Sequence, residues 1–344
     1  LTTLVALVLF GAYYMVCFRA NELIEKLLLH LDEVGAAVRG GAYPLYLIGR
    51  MGQGDWLAIA LVLAVTAALC WLTYQQLSRT FLAIAPAKTG EAKRAYKEEK
   101  TAARSVPQAL LAKELGRFTS SPNYMLNCGL GTVMLPLLGV FLLIKSGDVM
   151  PMAAEALGER SSELLAVLLC AALCLVGSMN DMTSSSVSLE GKCLWQAQSL
   201  PVKPWQVLRA KLLVQVVITG VPMLLASVCA TLTVRPGLLA AVLLVVMPQV
   251  FVWLSAAFGL MMDLKRPNLT WTNEITVIKQ RLTVLITMLG GWVYAVALGL
   301  LYMMVLSGWD AGWYLLACTA LTAALTALLL RWLRTRGAAL FAAL

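Results

Sequence analysis

The sequence predicts an all-α, polytopic membrane protein with about eight transmembrane helices. Of its 344 residues, 60% are hydrophobic and only 13% are charged, and the mean hydropathy is +0.80. Soluble domains are about 45–50% apolar and about 25% charged, so a soluble core does not absorb this excess. The apolar residues also fall in runs close to the ~20 residues that a helix needs to cross the hydrocarbon layer. These runs lack the alternation of barrel strands.

The apolar runs define eight candidate spans. They cover about residues 1–17, 56–77, 124–144, 164–180, 212–231, 238–262, 282–306 and 312–332. The first run begins at residue 1 with no Met and no basic leader, so we expect the chain to be the latter part of a longer polypeptide. We divide it into two spans that end an upstream unit (1–77), a cytosolic linker with an interfacial helix (78–118), and a six-span unit (119–344).

The basic residues predict the orientation of the spans. Alternate loops contain 20 of the 27 Lys and Arg residues, in segments 78–118, 182–212, 263–281 and 331–344. The positive-inside rule places these segments, and the C-terminus, in the cytoplasm. The net charge of +9 is therefore a topology signal. Nucleic acid is not an expected partner because the basic residues are scattered over several loops, whereas membrane lipids are.

The linker ends in an expected amphipathic helix at the inner membrane surface. Leu111, Leu115 and Phe118 lie at i, i+4 and i+7 and form an apolar stripe, and charged residues occupy the rest of the helix. Pro122, preceded by two serines, ends this helix before the next span.

No catalytic or metal site is expected. The letters EGKC at residues 190–193 differ from the phosphate-binding G-x-x-x-x-G-K-[ST] loop, because residue 186 is Ser and residue 193 is Cys. His30 is the only histidine. The eight cysteines lie mostly in apolar spans, where Cys packs as a small hydrophobe.

Five polar residues lie at or near membrane depth, where such residues are expensive to bury. They are Asn127, Asn180, Asp181, Gln215 and Gln249. Each either lines a transport path or makes a hydrogen bond between helices, and the sequence leaves both interpretations open.

A polar segment at residues 188–213 interrupts the apolar runs. Leu189, Cys193, Ala197 and Leu200 lie at i, i+4, i+8 and i+11, which predicts one short helix with Ser188 as its N-cap. Pro201 should end that helix, and Pro204 suits the first turn of the next. The segment is either a docking element across the cytoplasmic end of a hairpin or a surface loop with interfacial Trp anchors.

Two stretches of this sequence resemble a known family. Residues 184–213 read SSSVSLEGKCLWQAQSLPVKPWQVLRAKLL, and residues 113–131 read KELGRFTSSPNYMLNCGLG. The first resembles the cytoplasmic coupling segment, and the second the entry into the second six-span unit, of large two-unit ABC exporter permeases of Gram-positive bacteria. The resemblance covers most of the chain and is specific only in these two stretches.

The resemblance implies a function and its partners. A cytosolic ABC ATPase subunit, expected in two copies, would bind ATP and Mg on its own chain and contact this one at Leu189, Glu190, Gly191, Lys192, Leu194, Trp195 and Leu200. A second permease unit, in the same chain or another copy, would complete the path across the cell membrane for an unidentified hydrophobic or peptide-like substrate. The alternative is a membrane scaffold or sensor that recruits a cytosolic partner through residues 188–200.

Overall fold

The computed structural model describes residues 43–84, 104–158, 161–306 and 308–344, and these residues contain helices but no strand. The predicted all-α, polytopic membrane fold is confirmed. The predicted span at 1–17 and most of the linker before residue 104 lie outside the described residues. The chain divides into two compact units, residues 1–102 and 103–344.

The described part of the first unit is a helical pair. Helix α1 spans Tyr43–Gly52 and α2 spans Trp56–Ile84. An ion pair between Arg50 and Asp55 closes the turn that joins them, and Gly54 supplies the positive φ of 83° in that turn. Helix α2 contains a candidate membrane span at Trp56–Thr80, in agreement with the prediction for 56–77.

The second unit is a bundle of long apolar helices with shorter ones at its ends. Its helices are α3 Val106–Ser120, α4 Pro122–Cys128, α5 Leu130–Ile144, α6 Ser146–Leu157, α7 Ser161–Ser178, α8 Leu194–Ser199, α9 Pro204–Val234, α10 Leu238–Lys265, α11 Glu274–Ile278, α12 Leu282–Met304, α13 Ala311–Trp332 and α14 Ala338–Ala343. A 3-10 segment, Ser188–Cys193, precedes α8, and a π-helical turn, Leu333–Gly337, follows α13. Helices α7, α9, α10, α12 and α13 account for the other candidate spans among the described residues.

The span predicted at 124–144 is bent rather than straight. Helices α4 and α5 meet at Gly129 at an angle of 46°. A Cβ at Gly129 would lie 2.6 Å from the carbonyl oxygen of Met125 and 2.7 Å from the ring of Phe118, so only glycine fits this corner. The hydropathy pattern does not register such a bend, because both helices are apolar.

Small residues set the spacing between the long helices. A Cβ at Gly139 of α5 would lie 2.8 Å from the Cα of Ala226 in α9, so the two backbones are in close contact, as is common between membrane helices. Cys170 and Cys174 of α7 pack beside the sulfur of Met247 in α10, in the role expected from the sequence.

The amphipathic helix α3 buries a wider face than predicted, because Leu110 and Glu114 are buried in addition to the stripe of Leu111, Leu115 and Phe118 that packs against the core. Its buried side chains are Leu110, Glu114 and Phe118, whereas Leu111 and Leu115 are only partly buried. The prediction was wrong only in assigning Glu114 to the solvated face. The buried ammonium of Lys211 in α9 lies 3.0 Å from Glu114 Oε1 and makes this burial possible.

Candidate functional site: the segment of residues 179–203

The segment between α7 and α9 lies at one end of the bundle. We call this end of the bundle the basic end. It is formed by α3, the last turns of α7, α10 and α13, and the first turns of α9 and α12. Residues 180–191 are all buried. Tyr124 donates its hydroxyl proton to the carbonyl oxygen of Met182 at 2.8 Å. Gln215 Oε1 accepts from both the backbone N–H and the hydroxyl of Thr183, each at 2.9 Å.

The helix predicted from Ser188 to Leu200 is broken. The chain forms a 3-10 segment as far as Cys193 and then α8, because Gly191 adopts φ +54° and ψ −136°. A Cβ at Gly191 would lie 3.0 Å from the indole nitrogen of Trp271, so this conformation suits glycine alone. The break rotates the second half of the predicted stripe: Leu194 and Ala197 are buried, while Cys193 is exposed. The prolines act as predicted, since α8 ends at Ser199 and α9 begins at Pro204.

Ser188 is not the predicted N-cap, because its hydroxyl bonds elsewhere. It donates to the buried carboxylate of Asp263 in α10 and accepts from Asn268 N at 2.9 Å and Arg281 Nη1 at 2.7 Å. Arg281 Nη1 also pairs with Asp263 Oδ1 at 2.7 Å. Asp263 further accepts from the backbone N–H groups of Val187 and Ser188. These bonds fix the start of the 3-10 segment to the end of α10 and the approach to α12.

A second cluster holds the middle of the segment through charges. Lys211 Nζ, in the first turns of α9, lies 2.7 Å from Glu190 Oε1 and 3.0 Å from Glu114 Oε1. Its third proton goes to the carbonyl oxygen of Ser186 at 3.0 Å, so every donor of this buried ammonium is used. Arg117 Nη2 pairs with Glu190 Oε2 at 2.7 Å, and Lys113 Nζ lies 3.3 Å from Glu190 Oε1.

The cluster keeps Glu190 ionised. Burial alone would raise the pKa of its carboxyl group, but the charge of Lys211 and the hydrogen bond and charge of Arg117 outweigh burial and hold that pKa well below its usual range. Glu190 therefore acts as a fixed anion that joins α3, the 3-10 segment and α9.

The seven residues expected at an ATPase interface fall into two groups. Leu189, Glu190, Gly191 and Leu194 are buried against this chain. Lys192 is exposed, and Trp195 and Leu200 are 62% and 40% exposed. Of the seven, only these three are exposed on this chain, and the other four are packed against the rest of it.

The structure brings together three of the five polar residues predicted at membrane depth. Asn180, Asp181 and Gln215 gather around the turn after α7. Gln215 Nε2 donates to Ser255 at 3.2 Å, and Asp181 accepts from the hydroxyl of Thr287. Burial raises the pKa of Asp181 to about 6.

The other two polar residues lie apart from this turn. Asn127 bonds back to the carbonyl oxygen of Asn123 within α4 at 2.8 Å. Gln249 lies in the middle of α10, where its Nε2 atom is buried with no hydrogen-bond partner among the described residues. A Cβ at Gly220 of α9 would lie 3.3 Å from Gln249 Oε1, so the amide faces α9.

Sequence reasoning missed most of the residues that hold the segment. They are Glu114, Arg117, Lys211, Asp263 and Arg281. Lys211 and Asp263 carried a signal, since each is a charged residue directly at the end of a long apolar run and such residues are normally paired. Their partners lie far away in sequence and could not be identified from spacing.

Comparison with known proteins places the chain in a family. The family model described as "Membrane protein of 12 TMs" matches residues 1–331. The chain belongs to this family. No curated protein and no solved structure matches it. Membership of this family indicates that the chain is a multi-pass, transporter-like membrane protein.

Proposed function

We propose that the chain is a transmembrane subunit of an ATP-driven ABC exporter whose ATPase is a separate cytosolic protein. The observation that carries this proposal is the two-sided character of residues 188–200. One side is tied to three helices by buried ion pairs and hydrogen bonds, and the other presents Trp195, a residue that is 62% exposed. An exposed tryptophan in a segment that also exposes Lys192 and Leu200 suits a protein–protein contact, because aromatic residues dominate the energy of such contacts.

The anchoring explains how a push on this segment would reach the membrane helices. Glu190 is joined to α9 through Lys211 and to α3 through Arg117. At the other end of the segment, Gln198 Nε2 donates to the carbonyl oxygen of Phe341 in α14 at 2.9 Å. Since the segment is held at both ends, a displacement moves the attached helices as a rigid body instead of deforming a loop.

The proposed cycle assigns the chemistry to the partner. Two ATPase subunits bind ATP and Mg, close on each other and displace residues 188–200. The displacement tilts α7 and α9, which flank the segment, and changes access to a path between this unit and a second permease unit. The substrate class is open, and a hydrophobic or peptide-like molecule suits the apolar interior. The proposed location is the cell membrane, with the basic end and the C-terminus in the cytoplasm.

The test uses two tryptophans of similar exposure. Trp195→Asp should abolish co-purification of an ABC ATPase with the membrane protein and the stimulation of its ATP turnover, while the folded yield is unchanged because the side chain is exposed. Trp309, 57% exposed, lies in the loop between α12 and α13 at the opposite end of the bundle, so Trp309→Asp is the matched control.

Two results would count against the proposal. Loss of the ATPase in both variants would indicate general damage, and retention in both would show that residues 188–200 are not the docking surface. A partner that binds through Trp195 but hydrolyses no ATP and drives no solute movement would favour the scaffold or sensor function instead.

A further inference from the structure

A groove follows the surface between α10, α12 and α13. Its volume is about 470 Å³, and nearly all of its wall is apolar. Helix α10 contributes Leu254, Phe258 and Met261, and α13 contributes Leu325 and Leu328. All three helices belong to candidate membrane spans, so the groove faces the membrane interior or another apolar surface.

The depth of the groove follows from helix geometry. At a rise of 1.5 Å per residue, Thr287 and Tyr294 of the groove lie about 8 and 18 Å along α12 from its first residue, Leu282. Met261 lies about 6 Å from the last residue of α10, Lys265. Half of a hydrocarbon layer is about 15 Å thick. The groove therefore lies mainly in the half of the membrane next to the basic end, at the level of lipid acyl chains in that leaflet, and its far end at Tyr294 reaches the midplane.

A second depression lies beyond the groove, at the basic end of α10 and α13. Its volume is about 550 Å³, and Lys265, Trp332 and Arg336 are among the residues that line it. The alignment with the groove is visible in the helical spacing. On α10 one face carries, at i, i+4, i+7 and i+11, Leu254, Phe258, Met261 and Lys265. On α13, positions i, i+3 and i+7 are Leu325, Leu328 and Trp332, and Arg336 of the following π-helical turn lines the depression together with Trp332.

The depression carries two cations without a carboxylate. Lys265 and Arg336 are exposed, and neither forms an ion pair within the parts of the chain that the structure describes. Lys265 Nζ lies 5.3 Å from the ring centroid of Trp332, which holds the ammonium at the mouth of the groove. Tryptophan is typical of the level at which lipid headgroups lie.

We propose that the groove and the depression together bind one anionic glycerophospholipid from the leaflet next to the basic end. An acyl chain occupies the apolar groove, and the phosphate lies between Lys265 and Arg336. Anionic headgroups are attracted to Lys and Arg at the membrane surface, and the acyl chain of the lipid makes an apolar contact that a free phosphate cannot make. The inference does not depend on the proposed ATPase, because every residue it uses belongs to this chain.

The experiment measures lipid preference with the purified full chain. The protein in a neutral detergent is titrated with phosphatidylglycerol or phosphatidylcholine of identical acyl chains, and bound lipid is counted by native mass spectrometry. We expect phosphatidylglycerol to bind more tightly, and Lys265→Gln or Arg336→Gln each to weaken it about fivefold. Arg334→Gln is the matched control, because Arg334 is an exposed cation of the same turn that does not line the depression. All three substitutions are at exposed positions and leave the core intact.

A second measurement locates the acyl chain of the bound lipid. A phosphatidylglycerol with a photoreactive group in its acyl chain should label α10, α12 or α13 near Met261 and Leu328. The proposal is overturned by equal affinity for the two lipids, by an equal loss in Arg334→Gln, or by labelling elsewhere, including residues 1–42. It is also overturned if glycerol phosphate competes as well as the intact lipid, since the groove would then contribute nothing.

Discussion

Replacing Lys211 by Met tests whether the buried charge cluster holds the segment of residues 179–203 in place. The ammonium lies 2.7 Å from Glu190 Oε1 and 3.0 Å from Glu114 Oε1. At an effective dielectric constant of about 20, each contact contributes about 6 kcal/mol of Coulomb attraction. Much of this lost attraction is offset, because the variant no longer has to bury a charged lysine. The net cost of removing one partner of a buried ion pair is typically about 3–5 kcal/mol. We expect a loss of that size in the free energy of unfolding.

The assay is unfolding of the purified chain by titrating a denaturing detergent into a mild one, followed by circular dichroism. Lys113→Met is the matched control, because the side chain of Lys113 is 41% exposed and exposed pairs contribute at most about 1 kcal/mol. At low pH the Lys211→Met defect should shrink, because Lys211 helps to hold the pKa of Glu190 low and the stability from this ion pair is lost from the wild type as Glu190 becomes protonated. A Lys211→Met loss no larger than that of Lys113→Met would refute the reasoning.

Two further predictions concern the turn after α7. A Cβ at Gly259 would lie 2.6 Å from Thr183 Oγ1 and 2.8 Å from Asp181 Oδ1, so Gly259→Ala should lower the unfolding free energy by about 1–3 kcal/mol. Gly116→Ala, where nothing lies within 4 Å, should be neutral or stabilising, and equal effects would contradict the close packing. For Asp181, burial raises the pKa from 3.8 to about 6, so its contribution to stability is complete below pH ~4 and is lost as the pH rises through ~6. Wild type should therefore lose up to about 3 kcal/mol more than Asp181→Asn between pH 4 and pH 7.5, and parallel pH profiles of the two unfolding midpoints would show that Asp181 is not responsible.

The helix ends show where sequence reasoning succeeds. Pro201 and Pro204 bound α8 and α9 as predicted, because the restrictions that proline imposes on its neighbours and on its own φ are local. Gly191 shows the limit of the same reasoning. Its positive φ of 54° breaks the predicted helix, and the space that a side chain would need there is taken by Trp271, a residue distant in sequence.

The sequence by itself determined that the chain is an all-helical membrane protein, since crossing a hydrocarbon layer demands apolar runs of fixed length. The runs predicted from residue 56 onward correspond to helices, one of them bent at Gly129. Only the tertiary structure decided which charges are buried. Glutamates such as Glu190 and Glu114 usually lie on a solvated surface. Here each is buried because Lys211, placed by the packing of α9, supplies the opposite charge. The cost of burying a charge depends on a partner's distance in space, and spacing along the chain carries no record of that distance.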